Sequence, residues 1–160
     1  HWGIEYQHQP NKDQIYLADY CFENGADIVI GSHPHVIQKM EHKSYTKLNG
    51  DEKDVLVAYS LGNFVSNYGT WRYCDGGAMI RFTLQKDQND DLKIINPNYH
   101  LIWVYREARG SKLKNYYVLP ISEFESDNDL NQADLKQMNI FIKDSRELYN
   151  AENKNVPEYK

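Results

Sequence analysis

The stretch Asp27-Ile28-Val29-Ile30-Gly31 constrains the fold more than any other part of this chain. A short apolar run closed by glycine reads as a strand buried on both faces. In front of it, residues 12–24 place Ile15, Ala18, Cys21 and Phe22 on one face at helical spacing. Asn11 is suited to cap that helix and Asn24-Gly25 to stop it. Helix, tight turn and buried strand make half of a βαβ unit, which puts the chain in the α/β class. The strand that should precede the helix is expected to end near His1, so the chain reads as beginning inside that unit.

After residue 36 the pattern changes. Residues 36–42, 54–61, 77–85, 92–106 and 116–121 have strand composition. Ala78, Ile80, Phe82 and Leu84 alternate with Met79, Arg81 and Thr83, and the polar run 87–91 reads as a turn. Strands that follow one another without helices between them predict antiparallel pairing. A long helix then presents Leu135, Met138, Phe141, Ile142, Ser145, Leu148 and Tyr149 on one face. Asp129 with Gln132, or Asn131 with Asp134, offers a capping-box-like start. Residues 151–160 are polar and are expected to fray. The organisation expected is a body over residues 1–125 with a C-terminal helix and tail, 126–160, packed on it.

Charge and composition exclude some functions. Lys and Arg number 18 against 23 Asp and Glu, a net charge of −5. Nucleic-acid binding needs a basic footprint, which this balance does not provide. The longest apolar stretch, 55–65, is broken by Ser60, Gly62 and Asn63 and is too short to span a bilayer. Two cysteines without a CxxC pair suggest neither a disulfide framework nor a zinc or redox motif. The chain opens on His-Trp-Gly with no Met and no apolar leader, which reads as a domain cut from a longer protein. An export signal or anchor is then expected outside it.

The chemistry points to Gly31-Ser32-His33-Pro34-His35, directly after the apolar strand. Loops at the carboxyl ends of such strands are where α/β sheets bind ligands. Two histidines at i and i+2 in extended backbone project to one side. Pro34 fixes its own φ and disfavours helix at His33, so the pair is expected to be held open. Neutral imidazoles presented this way suit Zn, Mn or Fe, although two satisfied loop histidines would look the same in sequence. His1 is expected at the same sheet edge, and Glu5 within reach of it as ligand or base, or else as a cap or salt-bridge partner. Tyr59-Ser60-Leu61-Gly62-Asn63-Phe64 ends an apolar strand; Asn63 is suited to tie down a neighbouring loop, or simply to end the strand. The loop 66–75 carries Tyr68, Trp71, Arg72 and Tyr73 and reads either as a substrate-facing lid or as structural. His42 and His100 read as structural, and His8 has no partner that the sequence identifies.

These residues fall into blocks. His1-Trp2-Gly3-x-Glu5-Tyr6 is followed by Gly25-Ala26-Asp27-x-Val29-Ile30-Gly31-x-His33-Pro34-His35-Val36 and then by Tyr59-Ser60-Leu61-Gly62-Asn63-Phe64. In order and spacing they resemble the bacterial capsule-synthesis protein family, the CapA or poly-γ-glutamate synthesis group, a branch of the calcineurin-like metallophosphatases. The resemblance covers roughly residues 1–85, including Asp75-Gly76-Gly77. It implies the C-terminal portion of a four-layer αββα sandwich with a two-metal centre on loops at one sheet edge. It further implies His1 and His33 on one metal and His35 on the other, with Glu5 and Asn63 near the site. The superfamily's N-terminal Asp, bridging Asp and Asn-His blocks are absent here. Three imidazoles without a bridging carboxylate cannot hold two cations at the ≈ 3.5–4 Å separation that two-metal hydrolysis needs.

Expectations for function follow from the resemblance. The divalent cation is Mn, Zn or Fe, two in the full-length protein and at most one, weakly, in this chain. One reading is a metallophosphoesterase-like hydrolase of capsule or poly-γ-glutamate biosynthesis, inactive as this part alone. The other is a non-catalytic envelope accessory that binds or helps export an anionic polymer. An anionic polymer or phosphoester is the expected substrate, with recognition falling to the metal site and Arg72. Capsule-synthesis membrane proteins are expected partners, and nucleic acid is not. The location implied is the cell envelope or the extracytoplasmic side. The unpaired edge of strand 27–31 is expected to drive self-association, or else to be covered by another strand of the chain.

Overall fold

Asn11 begins the first helix with a reciprocal cap: its side chain accepts from the Gln14 amide, and the Gln14 side chain accepts from the Asn11 amide. In this computed structural model, which describes residues 1–68, 71–88, 91–109, 113–126 and 129–159, that helix is α1, Lys12–Glu23. Gly25, at φ +106, turns the chain into β1, Ile28–Ile30. Then come β2, Met40–Thr46, and β3, Glu52–Ala58. The first sheet has the order β1-β3-β2. β1 runs parallel to β3 with Ile28 opposite Leu56, and β2 runs antiparallel to it with Met40 opposite Ala58.

The doubly buried strand is β3, not β1. Val55, Leu56, Val57 and Ala58 are all 0% exposed. Val55, Val57 and Tyr59 pack on Ala18 and Phe22 of α1, while Leu56 and Ala58 face the main core. β1 instead has a strand partner on one side only among the described residues, and Ile30 is 51% exposed. Both runs are equally apolar in sequence, so position in the sheet, not composition, decides which one is covered.

The second sheet is an antiparallel meander of β4, Gly76–Lys86, β5, Leu92–Arg109, and β6, Leu113–Pro120. Its inward residues Ala78, Leu101 and Trp103 complete the main core with Leu56, Ala58 and Met40 of the first sheet. A shift in register between Arg81 and Thr83 breaks the alternation expected along β4, and Leu84 ends up half exposed. Asn89 and Asp90 of the expected turn, and Gly69 and Thr70 of the 66–75 loop, lie outside the described residues. The two sheets meet where the chain leaving β3 crosses onto β4: Ala78 N donates to Leu61 O at 2.8 Å and Asn63 N to Gly76 O at 3.0 Å. The approach demands glycine at 77, where a Cβ would lie 2.4 Å from Leu61 O and 2.6 Å from Asn63 O.

A short helix α2, Ile121–Phe124, leads to α3, Gln132–Glu152, whose start is capped by Asn131 accepting from the Ala133 and Asp134 amides. Met138, Phe141, Ile142 and Tyr149 of α3 join the main core. No helix among the described residues is long and apolar enough to cross a membrane.

Two further expectations are corrected. The strand expected over 36–42 begins only at Met40, although Ile37 bridges Leu61 and Gln38 N donates to Ser60 O at 3.0 Å. The tail is not frayed. Lys154 N donates to Met40 O and His42 N to Lys154 O, the Tyr99 amide donates to Pro157 O, and Val156 is buried. Backbone hydrogen bonds hold this segment, and these do not register in side-chain polarity.

Glu41 joins the tail to β2. It is buried, and Lys39, Lys154 and Lys43 lie 2.7, 3.1 and 3.3 Å from its carboxylate. Burial alone would raise its pKa, but hydrogen bonds from Lys39 and Lys154 and the lysine charges win and hold it at about 2, below the ordinary 4.5. The ionised form therefore stabilises the fold above about 4.5, and this contribution is lost as pH falls toward 2. Glu41→Gln is expected to lower stability by on the order of 2–3 kcal/mol at neutral pH, with the gap to wild type closing as the pH drops. Urea unfolding across the acid range checks this; a gap that stays constant down to about pH 3 contradicts it.

Candidate functional site

Residues 1–8 form a strap across the loop that follows β1. Trp2 N donates to Ser32 O at 3.1 Å, Tyr6 N to Pro34 O at 2.8 Å, and Trp2 Nε1 to Tyr59 O at 2.7 Å. Gly31 permits the crossing, because a Cβ there would sit 2.2 Å from Trp2 Nε1. Beneath the strap lies a buried amide brace. Gln14 Nε2 donates to Gln38 Oε1, and Gln38 Nε2 donates to Gln7 O, both at 2.8 Å. Buried amides so paired avoid the desolvation cost of orphan donors, and they pin the strap to α1 and to the segment before β2.

The His33-Pro34-His35 loop differs from the extended form expected. His33 has φ +106 and His35 φ +60. Pro34 does exclude helix from the residue before it, but the loop meets that restriction with positive φ rather than with extended backbone. Such backbone costs on the order of 1–3 kcal/mol for a residue other than glycine and persists only where the surroundings enforce it. Here the strap on one side and Asn63 on the other do so.

The strap and loop bring Glu5, His33 and His35 together, with one donor atom from each within 4.8 Å of the others. This is close to the span of two metal–ligand bonds of about 2.1 Å each. Glu5 Oε1 lies 3.9 Å from His35 Nε2. His1 reaches the same edge, as expected, with its ring tilted against that of His33 at a centroid distance of 4.1 Å, beside the group of close donors that Glu5, His33 and His35 make. Asn63, nearly buried, holds His35 from behind. Its Oδ1 is 2.9 Å from His35 Nδ1, and its Nδ2 donates to Cys74 O at 2.8 Å and to His35 O at 3.1 Å.

Aromatic rings wall the group. Tyr68 stacks on His35 at 4.7 Å, and Tyr6 stands between His35 at 6.2 Å and the half-exposed Trp71 at 5.2 Å. The Tyr6 hydroxyl is hydrogen-bonded to Tyr68; with burial and the Glu5 charge this raises its pKa to about 12, so it stays a neutral phenol. His8, which the sequence left without a partner, packs edge-on to Tyr73 at 4.5 Å, and burial lowers its pKa. Arg72 turns away from the donor group and makes a bidentate pair with Asp144 of α3 at 2.9 and 3.0 Å. Trp71, Arg72, Asp75, Gln137 and Asp144 line a cavity of about 330 Å³. His42 pairs with Asp54 at 2.7 Å, and His100 packs on Tyr159, both structural as expected. Sequence reasoning missed the Asp144 and Gln38 partners, which no spacing rule connects to the motifs they serve.

Residues 1–68 match the model of the family described as bacterial capsule synthesis protein PGA_cap, and they contain Glu5, His33, His35 and Asn63. Over 100 residues, 62% of this chain, the sequence is 34% identical to the PGA biosynthesis protein CapA of Bacillus subtilis (strain 168), covering 24% of that protein. Over 98 residues it is 34% identical to the capsule biosynthesis protein CapA of Bacillus anthracis, covering 21% of it. The chain thus spans roughly a quarter or less of the length of the curated relatives it matches. No solved structure matches it.

Cys74 reports on the integrity of this site, because its carbonyl anchors Asn63. Burial, aided by the charge of Asp75, pushes its thiol up to about 11. At mildly alkaline pH Cys74 is therefore expected to resist iodoacetamide while the chain is folded and to react once it is unfolded. Peptide mass spectrometry reads this directly; rapid labelling of Cys74 in the folded chain contradicts the geometry around Asn63.

Proposed function

We propose that this chain, whose residues 1–68 match the bacterial capsule synthesis family, is part of a capsule or poly-γ-glutamate biosynthesis protein and holds a divalent cation on Glu5, His33 and His35. The observation that carries the reading is the convergence of those three donors inside the matched residues. Their chemistry fits such an ion: two neutral imidazoles and one carboxylate suit Zn, Mn or Fe. When bound, the cation supplies Lewis acidity toward a phosphoryl or carboxylate oxygen. The chain's own residues do the rest. Glu5 offsets part of the ionic charge, Asn63 orients His35, and Tyr6 and Tyr68 keep bulk water from one side of the group.

In the wider reading, this part belongs to a four-layer metallophosphatase-like sandwich with a two-metal centre, acting on an anionic polymer or phosphoester. It works on the extracytoplasmic side of the envelope beside capsule-synthesis membrane proteins. A second reading, a non-catalytic module that binds or helps export an anionic polymer, is favoured by one observation. Among the described residues the donor group is one carboxylate and two imidazoles, a set suited to a single cation, and a single cation can hold an anionic polymer without cleaving it. The open edge of β1 supports self-association of the chain in isolation.

Calorimetric titration with Zn or Mn tests the cation site. One ion per chain is expected, with affinity reduced at least about tenfold in a His33→Ala/His35→Ala double variant and measurably in Glu5→Gln. The terminal amine of His1 is acetylated to remove its own chelation. Isotherms identical to wild type in the double variant overturn the site. Turnover of an aryl phosphate by this chain with Mn is expected at background; robust turnover that His33→Ala abolishes overturns the account of an incomplete centre.

A further inference from the structure

The hydrogen bonds around Asn63 determine which nitrogen of His35 carries its proton. Asn63 Nδ2 has two hydrogens, and both have carbonyl acceptors, Cys74 O at 2.8 Å and His35 O at 3.1 Å. Turning the amide over would set Oδ1 against those two carbonyl oxygens, so its orientation is fixed. Oδ1 therefore faces His35 Nδ1 at 2.9 Å. A carbonyl oxygen only accepts, so Nδ1 must donate and carries the hydrogen. In a neutral imidazole, Nε2 is then left with its lone pair. That nitrogen is the one 3.9 Å from Glu5 Oε1.

We infer that Asn63 is a positioning residue that holds His35 as its Nδ1–H tautomer and so presents an unprotonated Nε2 toward Glu5 and His33. The surroundings make the hold rigid. Asn63 N donates to Gly76 O at 3.0 Å, and Gly62 bridges Gly77, so the Asn63 backbone is anchored on β4. Cys74, whose carbonyl orients the amide, is itself held by its N–H on Trp71 O at 3.1 Å. Tyr68, stacked on the imidazole at 4.7 Å, restrains rotation of the ring. The effect matters because an unrestrained histidine side chain in water prefers its proton on Nε2, which would block the donor that faces the group. The purpose of the arrangement rests on the proposed cation site; the tautomer itself does not.

The test uses the 15N-labelled, chelator-treated chain at about pH 8, above the usual histidine range. Long-range 1H–15N correlation spectra separate the two neutral tautomers by their ring-nitrogen shifts. Wild type is expected to show Nδ1–H at His35. Asn63→Leu removes the acceptor and is expected to shift His35 toward Nε2–H and to weaken Zn binding at least about tenfold. The His42 signal, set by Asp54 away from the site, reports whether the variant is folded. Nε2–H at His35 in wild type overturns the inference, whatever metal binds, and so does a folded Asn63→Leu variant that keeps Nδ1–H. Nδ1–H in wild type together with no bound cation supports the role of Asn63 and overturns the cation reading instead.

Discussion

Burial of β3 on both faces is the constraint on which the rest of the structure depends. Its outward residues Val55 and Val57 are covered by α1, and its inward residues Leu56 and Ala58 by the second sheet and α3. Each such apolar side chain contributes on the order of 1.5–3 kcal/mol when fully buried. Neither β1 nor β2 can hold its position without this strand, because each pairs with β3 and not with the other. The same strand delivers the functional elements. Its end leads through Leu61 and Gly62 to Asn63, and its parallel pairing with β1 sets the height of the histidine loop beside it.

The candidate site is therefore assembled from segments distant in sequence. The strap supplies Glu5, the loop after β1 supplies His33 and His35, and the crossing after β3 supplies Asn63. None of these segments is regular secondary structure, yet each is tied by backbone hydrogen bonds to a strand or to another loop. Such ties allow the positive-φ backbone at His33 and His35 to persist. Arg72 reaches instead to α3, where it makes a bidentate ion pair with Asp144.

Much of this was legible beforehand. Asn11 and Asn131 mark helix starts because caps are local chemistry, and the apolar faces of α1 and α3 follow helical spacing. The histidine loop and the Asn63 block stand out by motif. The misreadings share a cause. Val29 and Val57 look alike in sequence, but only one strand is flanked on both sides. The tail 153–159 is polar in its side chains, yet it is held by the Met40, His42 and Tyr99 backbones. His1 lies with its ring tilted against that of His33, and the fold brings Glu5 to the two loop histidines, a meeting that no spacing in the sequence announces.

The amino-acid sequence by itself determined what acts locally: helix caps and faces, the turn at Gly25, the acidic balance, and the motifs that carry His33, His35 and Asn63. Only the tertiary structure decided which apolar strand is central, which donors meet, which nitrogen of His35 faces them, and that Arg72 is already paired. The physical reason is range. Caps and periodicity operate within a few residues, while burial, ion pairing and imidazole tautomer depend on neighbours supplied by segments such as Asn63 and Cys74. Those neighbours exist only once the sheets have closed on one another.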